Sequence, residues 1–221
     1  MNLSTEKKEH IDSVLDDKAL GWLFPVLETG QATCKAFMKL NEDFFSCIDY
    51  LNTVPGHLLS YSINKQLSDQ CLIPTFPFEM DKEIINKRNG YSIPVLKKRD
   101  ITISIMRTTN RKKIDRDNVE YLKKKCAKNN ELDGQLSIFE PNIFEKDNYH
   151  GVLLYGSKKD WERIEFADII FLDSELKHIC HYIDITDKLH IYESLMSSED
   201  KVKSLLNAEN IIKDFKKQQE G

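Results

Sequence analysis

A run of basic residues between Lys97 and Lys128 is the clearest chemical feature of the sequence. Twelve lysines and arginines against four acidic residues give this basic segment a net charge of +8, so with a whole-chain charge of −4 the remainder carries −12. Concentrated positive charge attracts the phosphates of nucleic acid or the carboxylates of an acidic protein surface. We predict a binding surface built from these side chains: Lys97, Lys98, Arg99, Arg107, Arg111, Lys112, Lys113, Arg116, Lys123, Lys124 and Lys125.

Two tyrosines accompany the basic segment, and a second explanation of its charge stays open. Tyr121 lies within it and Tyr91 just before it, so either ring could stack on the bases of a single strand. Lysine runs are also common on solvated surfaces. The alternative is therefore a solvated face, or a patch that docks on the acidic remainder of the same or another subunit.

Asp168, Glu175 and Lys177 form a second chemical pattern, an aspartate followed by Glu-x-Lys. The pattern resembles that of Mg²⁺-dependent nucleases of the restriction-endonuclease type. The resemblance implies that the carboxylates hold Mg²⁺, the only cofactor we consider, and that the lysine steadies the attacking water. The three residues straddle a predicted hairpin turn, and charged residues in a turn explain the pattern more simply.

A third group contains the side chains of His178, Cys180, His181 and Asp184. On a strand, His181 points away from the other three, and residues two apart on one strand rarely close a metal site without further ligands. Those would have to come from distant histidines, for which the candidates are His57, His150 and His190. A strand with a polar outer face is the better explanation, so we predict no metal site.

The stretch from Gly156 to Lys159, Gly-Ser-Lys-Lys, follows an apolar run. Backbone N–H groups and lysines at a strand end can bind phosphate, although a solvated turn is the more ordinary explanation. No dinucleotide-binding, P-loop, serine-hydrolase or zincin motif occurs in the chain. The usual sequence support for those four chemistries is therefore missing.

Composition places the 221 residues among intracellular globular proteins. Forty per cent are hydrophobic and 31% charged, which argues against extensive disorder. The five cysteines are scattered without a C-x-x-C pair and are expected to be reduced thiols. No apolar run is long enough to span a bilayer and the N-terminus lacks a signal-peptide core, so we expect a cytoplasmic protein that does not contact a membrane. The high Lys, Ile and Asn content is typical of AT-rich bacterial genomes.

Apolar residues at helical spacing predict three helices in the first part of the chain, over residues 5–18, 30–51 and 58–72. Trp22, Leu23 and Phe24 are expected to pack as an apolar corner between the first two. In the second helix the predicted core stripe is Phe37, Leu40, Phe44, Ile48 and Leu51. Phe45 forms a second apolar edge, which could support self-association if it is exposed together with the corner.

Strand-like runs follow the helices. Alternation of isoleucines with polar residues predicts a half-buried strand over 92–106, and apolar runs predict strands over 152–155, 164–172 and 179–185. The last three should form an antiparallel meander whose middle strand is covered on both faces. Further helices are predicted over 115–127 and 198–216, with a loop over 129–149 that surrounds a short apolar patch at 136–139.

This order predicts an α+β fold in which N-terminal helices pack on an antiparallel or mixed β-sheet, with a C-terminal helix. We divide the chain into a helical part (1–80), a β-rich core (81–195) that forms one domain with it, and the C-terminal helix (196–221). The function we favour is a non-enzymatic binding or accessory protein whose basic segment contacts nucleic acid or an acidic partner. The alternatives are a Mg²⁺-dependent nuclease and an assembly subunit without nucleic-acid affinity, with a homo-oligomer as a further expectation.

Overall fold

The computed structural model describes residues 3–46, 54–86, 91–112, 114, 120–134, 148–156 and 164–186. Within these ranges the helices are Leu3–Val14 (α1), Asp17–Leu20 (α2), Leu23–Leu40 (α3), Glu42–Ser46 (α4), Val54–Gln70 (α5), Glu120–Lys125 (α6) and a 3-10 helix, Cys126–Asp133. The strands are Glu79–Asn86 (β1), Tyr91–Lys98 (β2), Ile101–Arg107 (β3), Tyr149–Gly156 (β4), Phe166–Leu172 (β5) and Ile179–Asp184 (β6). The α+β class is confirmed, whereas the predicted C-terminal helix and the patch at 136–139 lie outside the described residues.

The six strands form one mixed sheet whose spatial order is the same as their order in the chain. All neighbours are antiparallel except β3 and β4, which are parallel. A parallel neighbour requires a crossover connection, and the chain between these strands contains α6 and the 3-10 helix. The carboxyl ends of β3 and β4 consequently lie at the same end of the sheet.

The predicted meander is confirmed in β4, β5 and β6, with the middle strand buried along its whole length. One face of the sheet packs on the N-terminal helices, since Ile169 and Phe171 share a core cluster with residues of α1 and α3. The opposite face forms a second cluster, in which Ile170 and Leu172 pack with Leu122 of α6. Because both faces of the meander are covered, its strands contain apolar residues on both sides.

The second predicted helix begins seven residues earlier than expected, at Leu23, and ends at Leu40. Pro25 does not prevent this start because it lies in the first turn, where a backbone N–H has no partner within the helix. Asn41 ends α3: it leaves helical geometry and its side-chain amide donates to the carbonyl of Phe37 at 2.8 Å. The single helix expected to continue to residue 51 is therefore interrupted at Asn41; residues 42–46 are helical again as the separate α4, and residues 47–53 lie outside the described ranges.

The predicted core stripe of that helix is also wrong at Phe44, which is 62% exposed on α4. Phe37 and Leu40 are half-buried, while Ile48 and Leu51 belong to the residues not described. Trp22, Leu23 and Phe24 are buried as predicted, so they cannot form an exposed patch with the half-buried Phe45. The apolar residues at helical spacing that predict the other two helices are buried: Ile11 and Val14 in α1, Leu15 directly after it, and Leu59, Ile63 and Leu67 in α5.

Two strands and a turn replace the single half-buried strand predicted over 92–106. The chain reverses at Arg99 and Asp100, where Arg99 adopts a left-handed backbone with φ 53°. Thr102 and Ser104 are buried, as are Ile101 and Ile103 on the other face, so both faces of β3 are covered. The edge strand β1 was not predicted, because its sequence, EMDKEIIN, carries the charges that protect an exposed sheet edge and hide strand alternation.

Helices α3 and α5 touch where Gly30 faces Ile63. A Cβ atom at residue 30 would lie 2.7 Å from Ile63 Cγ1 and 2.8 Å from Ile63 Cα. Such distances are too short for carbon atoms, and one of the two is to the backbone, which a rotamer change cannot move. No helix in the described part of the chain is both long and apolar enough to cross a bilayer.

Replacing Gly30 by alanine should destabilise the protein by about 1–3 kcal/mol, because the added methyl group forces the two helices apart. Helix propensity alone predicts a gain of about 1 kcal/mol. Urea unfolding distinguishes the two signs, with the exposed Ala32→Gly on the same helix as a control that changes propensity without the contact. A stabilised Gly30→Ala variant would contradict the close packing.

Candidate functional site

Residues 108–112 follow β3 and cross the end of β4. The backbone N–H of Thr108 donates to the carbonyl of Tyr155 at 3.0 Å, which extends the pairing of the two strands by one residue. Beside this bond, a Cβ atom on Gly156 would overlap the carbonyl oxygen of Thr108. Glycine at residue 156 therefore allows the crossing turn, 108–112, to lie directly on the end of the strand.

Beyond the crossing, Arg111 binds two aspartates on the far side of β4. Its Nε and Nη2 donate to the two carboxylate oxygens of Asp168 at 3.0 and 2.7 Å, and Nη2 also donates to Asp184 at 2.6 Å. The guanidinium carbon lies 5.7 Å from the centre of the Phe166 ring. Paired, planar hydrogen bonds of this kind are the strongest that arginine makes with a carboxylate.

The two aspartates are direct register partners on β5 and β6. Like charges placed opposite each other on adjacent strands repel, and Asp168 has no exposed surface at all. The Arg111 guanidinium offsets both charges. Its own pKa is raised, chiefly by the hydrogen bonds to Asp168.

Tyr182 completes this group, which we call the Arg111 cluster: Arg111, Asp168, Tyr182 and Asp184. The phenol donates to Asp168 at 2.8 Å. Burial, followed by the adjacent carboxylates, raises the pKa of Tyr182, so the phenol keeps its proton and remains a donor. The Nζ atom of Lys112 lies 3.9 Å from the centre of the same ring, within the range of a cation–π contact.

The three residues of the nuclease pattern lie towards opposite ends of β5. Asp168 is near the start of β5, whereas Glu175 and Lys177 are exposed in the turn beyond its other end. The strand alone separates Asp168 from that turn by about 13 Å. Because Arg111 and Tyr182 also bind the Asp168 carboxylate, the geometry does not bring together a Mg²⁺ site from these residues.

The residues of the third pattern contact different parts of the fold. His181 lies 2.7 Å from Asp12 of α1, Asp184 binds Arg111, Cys180 is buried, and His178 is exposed in the turn before β6. Within the ranges that the structure covers, no three His, Cys, Asp or Glu side chains are placed to hold a metal ion.

A second buried polar group lies on the same face of the sheet, around His150. The two imidazole nitrogens lie 2.7 Å from the Thr102 hydroxyl and 3.0 Å from the Ser104 hydroxyl. The Asn129 amide of the 3-10 helix donates to the carbonyls of His150 and Leu172, both at 2.8 Å. Burial, helped by the charge of Lys125, lowers the pKa of His150 to about 3.

The basic segment does not form one surface. Lys97, Lys98 and Arg99 lie at the end of the sheet where β3 begins, while Arg107, Arg111 and Lys112 lie at the end where it finishes. Seven strand residues place about 20 Å between the two ends. The charge that is continuous in sequence is therefore divided in space.

Several of these cations are already neutralised by carboxylates within the fold. Besides Arg111, ion pairs join Lys97 to Asp81 at 2.5 Å, Lys98 to Asp16 at 3.4 Å, and Lys125 to Glu83. Lys128 lies over the ring of Tyr149. Docking of the basic segment on acidic residues of the same chain, one of the alternatives from the sequence, thus accounts for part of it; Lys113 and Arg116 lie outside the described residues.

Arg107 and Lys112 make no ion pair with any described carboxylate. Lys112 is exposed, with a left-handed backbone of φ 60°. Arg107 is partly buried, and a Cβ atom on Gly56, at the start of α5, would overlap its guanidinium. Tyr121 packs partly buried against the second core cluster, so its ring is not an open stacking surface.

Comparison with protein-family models, with curated proteins and with solved structures gives no significant match.

The sequence analysis named several residues of the site but did not predict the side chains that bind them. Tyr182, Thr102, Ser104 and Asn129 were not proposed as members of any site. One signal was present: Asp168 interrupts an otherwise apolar buried run, and a buried carboxylate requires a bound counter-charge. Which cation supplies it could not be read from the pattern.

Removing the guanidinium in Arg111→Gln should lower the free energy of unfolding by about 2–4 kcal/mol, because Asp168 would remain buried and unpaired. Adding Asp168→Asn should recover most of this loss, since no buried charge then remains. Denaturant unfolding of both single variants and the double variant measures the coupling. Additive losses would show that the two side chains do not depend on each other.

The buried His150 should make stability depend on pH. Its pKa in the folded protein is about 3, below the usual 6.5, so between these values the unfolded state binds more protons. The stabilisation is complete above pH 6.5 and decreases as the pH falls towards 3. From pH 7 to 5 this residue should remove about 2 kcal/mol.

Urea unfolding at pH 7 and 5 tests this dependence. The loss should be smaller in His150→Gln by that amount and unchanged in His57→Gln, which replaces an exposed histidine. An equal loss in wild type and His150→Gln would exclude His150 as its source.

Proposed function

We propose that this chain is a non-enzymatic binding or accessory protein that contacts the phosphates of nucleic acid at the carboxyl end of β3 and β4. The observation that carries the proposal is the position of Arg107, Arg111 and Lys112 together at this end of the sheet. In the sequence, Lys158 and Lys159 come two and three residues after Gly156, the last residue of β4. In both segments that follow the parallel pair, basic residues thus occur within five residues of the strand end.

Lys112 is the side chain best suited to meet a phosphate. It is exposed, and its ammonium group has a neutral aromatic ring beside it and no described carboxylate paired with it. A lysine that already binds a carboxylate gives up part of that interaction when it binds phosphate. Lys97, Lys98 and Lys125 have such partners, so they should contribute less to binding.

The contacts should be with the nucleic-acid backbone and not with the bases. The Tyr182 ring is covered by Lys112, and the Tyr121 ring packs against the protein core. Stacking on bases requires an open ring face. We therefore expect little sequence preference and a strong dependence on salt, with each phosphate contact contributing about −0.9 to the slope of log K against log salt on duplex DNA.

Charge reversal at the two ends of β3 tests the proposal. Lys112→Glu should weaken binding to a short DNA duplex by roughly tenfold or more and reduce the salt slope by about 1. Arg99→Glu is the matched control: both residues are exposed, both have a left-handed backbone, and both changes alter the net charge equally. Fluorescence anisotropy across a salt series gives affinity and slope.

Equal weakening by the two variants would show a general charge effect without a defined surface. An absence of duplex and single-strand binding at low salt would contradict the function. If an acidic protein were the partner, the same variants would affect binding to polyglutamate while leaving nucleic acid unbound.

A further inference from the structure

We propose that Arg111 is a positioning residue, which fixes the crossing turn so that Lys112 meets the phosphate while Arg111 itself does not. This inference rests on the proposed function, although its structural part can be tested without a ligand. Arg111 and Lys112 are neighbours in the chain and carry the same charge, so the sequence alone treats them alike. Their surroundings separate them.

Arg111 is bound by two carboxylates of the sheet. Three hydrogen bonds of 3.0 Å or less join it to Asp168 and Asp184. If a phosphate drew the guanidinium away, the fully buried Asp168 would lose this counter-charge, and among the described side chains the phenol of Tyr182 alone would still donate to it. A new phosphate contact at the surface, which is screened by water and salt, would not compensate for that loss.

The same bonds determine where Lys112 lies. The crossing turn is attached to the sheet at its beginning, where Thr108 pairs with Tyr155 beside Gly156, and near its end, where Arg111 binds β5 and β6. Lys112 is the next residue, and Tyr182 links the two side chains: its hydroxyl donates to Asp168, the partner of Arg111, and its ring lies beside the Lys112 ammonium. The position of Lys112 therefore depends on Arg111 through backbone and ring together.

The test uses the double variant Arg111→Gln/Asp168→Asn, made in the wild-type chain and in Lys112→Gln. The pair removes the anchoring bonds without changing net charge and without leaving a buried carboxylate. In the wild-type chain it should weaken binding to a DNA duplex at least about threefold, as expected for residues coupled in one network. In the Lys112→Gln chain it should have no further effect, because Arg111 acts through Lys112.

Two results would overturn the proposal. The same weakening in both chains would mean that Arg111 contacts the phosphate directly, and no weakening in either would mean that it does not position Lys112. Arg111→Lys provides a second variant that retains the positive charge but not the two-pronged geometry. If Arg111 positions Lys112, the DNA affinity of Arg111→Lys should be as low as that of the double variant. If Arg111 acts only through its charge, that affinity should equal the wild-type value.

Hydrogen exchange separates this inference from the proposed function. Amides of residues 109–112 should exchange faster in the double variant than in the wild-type protein, while those of β4 and β5 stay protected. If the wild-type chain binds no nucleic acid, the proposed function fails and the exchange rates alone decide whether Arg111 fixes the turn. Unchanged exchange at these residues would overturn the positioning role as well.

Discussion

The carboxylate of Asp168 is the constraint on which the polar end of the sheet depends. It lies within the buried strand β5 and has no exposed surface, and an unpaired charge there would be too costly for a stable fold. The counter-charge comes from Arg111, two strands away, and can arrive only if the chain crosses the end of β4. Gly156 leaves room for that crossing, so a glycine, an arginine and an aspartate from three chain segments satisfy one requirement.

The His150 group shows a second solution to the same problem on the same face of the sheet. Here the polar side chain is kept neutral, and two hydroxyls and an asparagine provide its hydrogen bonds and those of the adjacent backbone. A neutral imidazole needs one donor and one acceptor, which hydroxyl groups can supply without a charge. On this face the charge of Asp168 is thus offset by an ion pair, whereas His150 is neutral because it has no added proton. The ion pair also connects the buried face to the surface, since Arg111 is followed by the exposed Lys112.

Local patterns predicted the elements whose residues are apolar and periodic. Strands β4 to β6 and the stripes of α1 and α5 belong to this class, because burial on one or two faces leaves a direct trace in the sequence. The edge strand β1 and the turn at Arg99 were missed because charged residues at a sheet edge or turn look the same as loop residues. The Arg111–Asp168 pair lies 57 residues apart in the chain, so no spacing rule could reveal it.

Counting charge along the chain also assumed that neighbours in sequence act together. Strand β3 separates the basic segment into two groups about 20 Å apart, more than two Debye lengths at physiological salt, so each group acts independently of the other. At one end Lys97 and Lys98 of β2 form ion pairs with Asp81 of β1 and with Asp16, the N-cap residue of α2. At the other end Arg111 is neutralised internally and Lys112 remains exposed. The +8 of the segment therefore does not measure the field that a ligand meets, which depends on the few cations that the fold leaves unpaired.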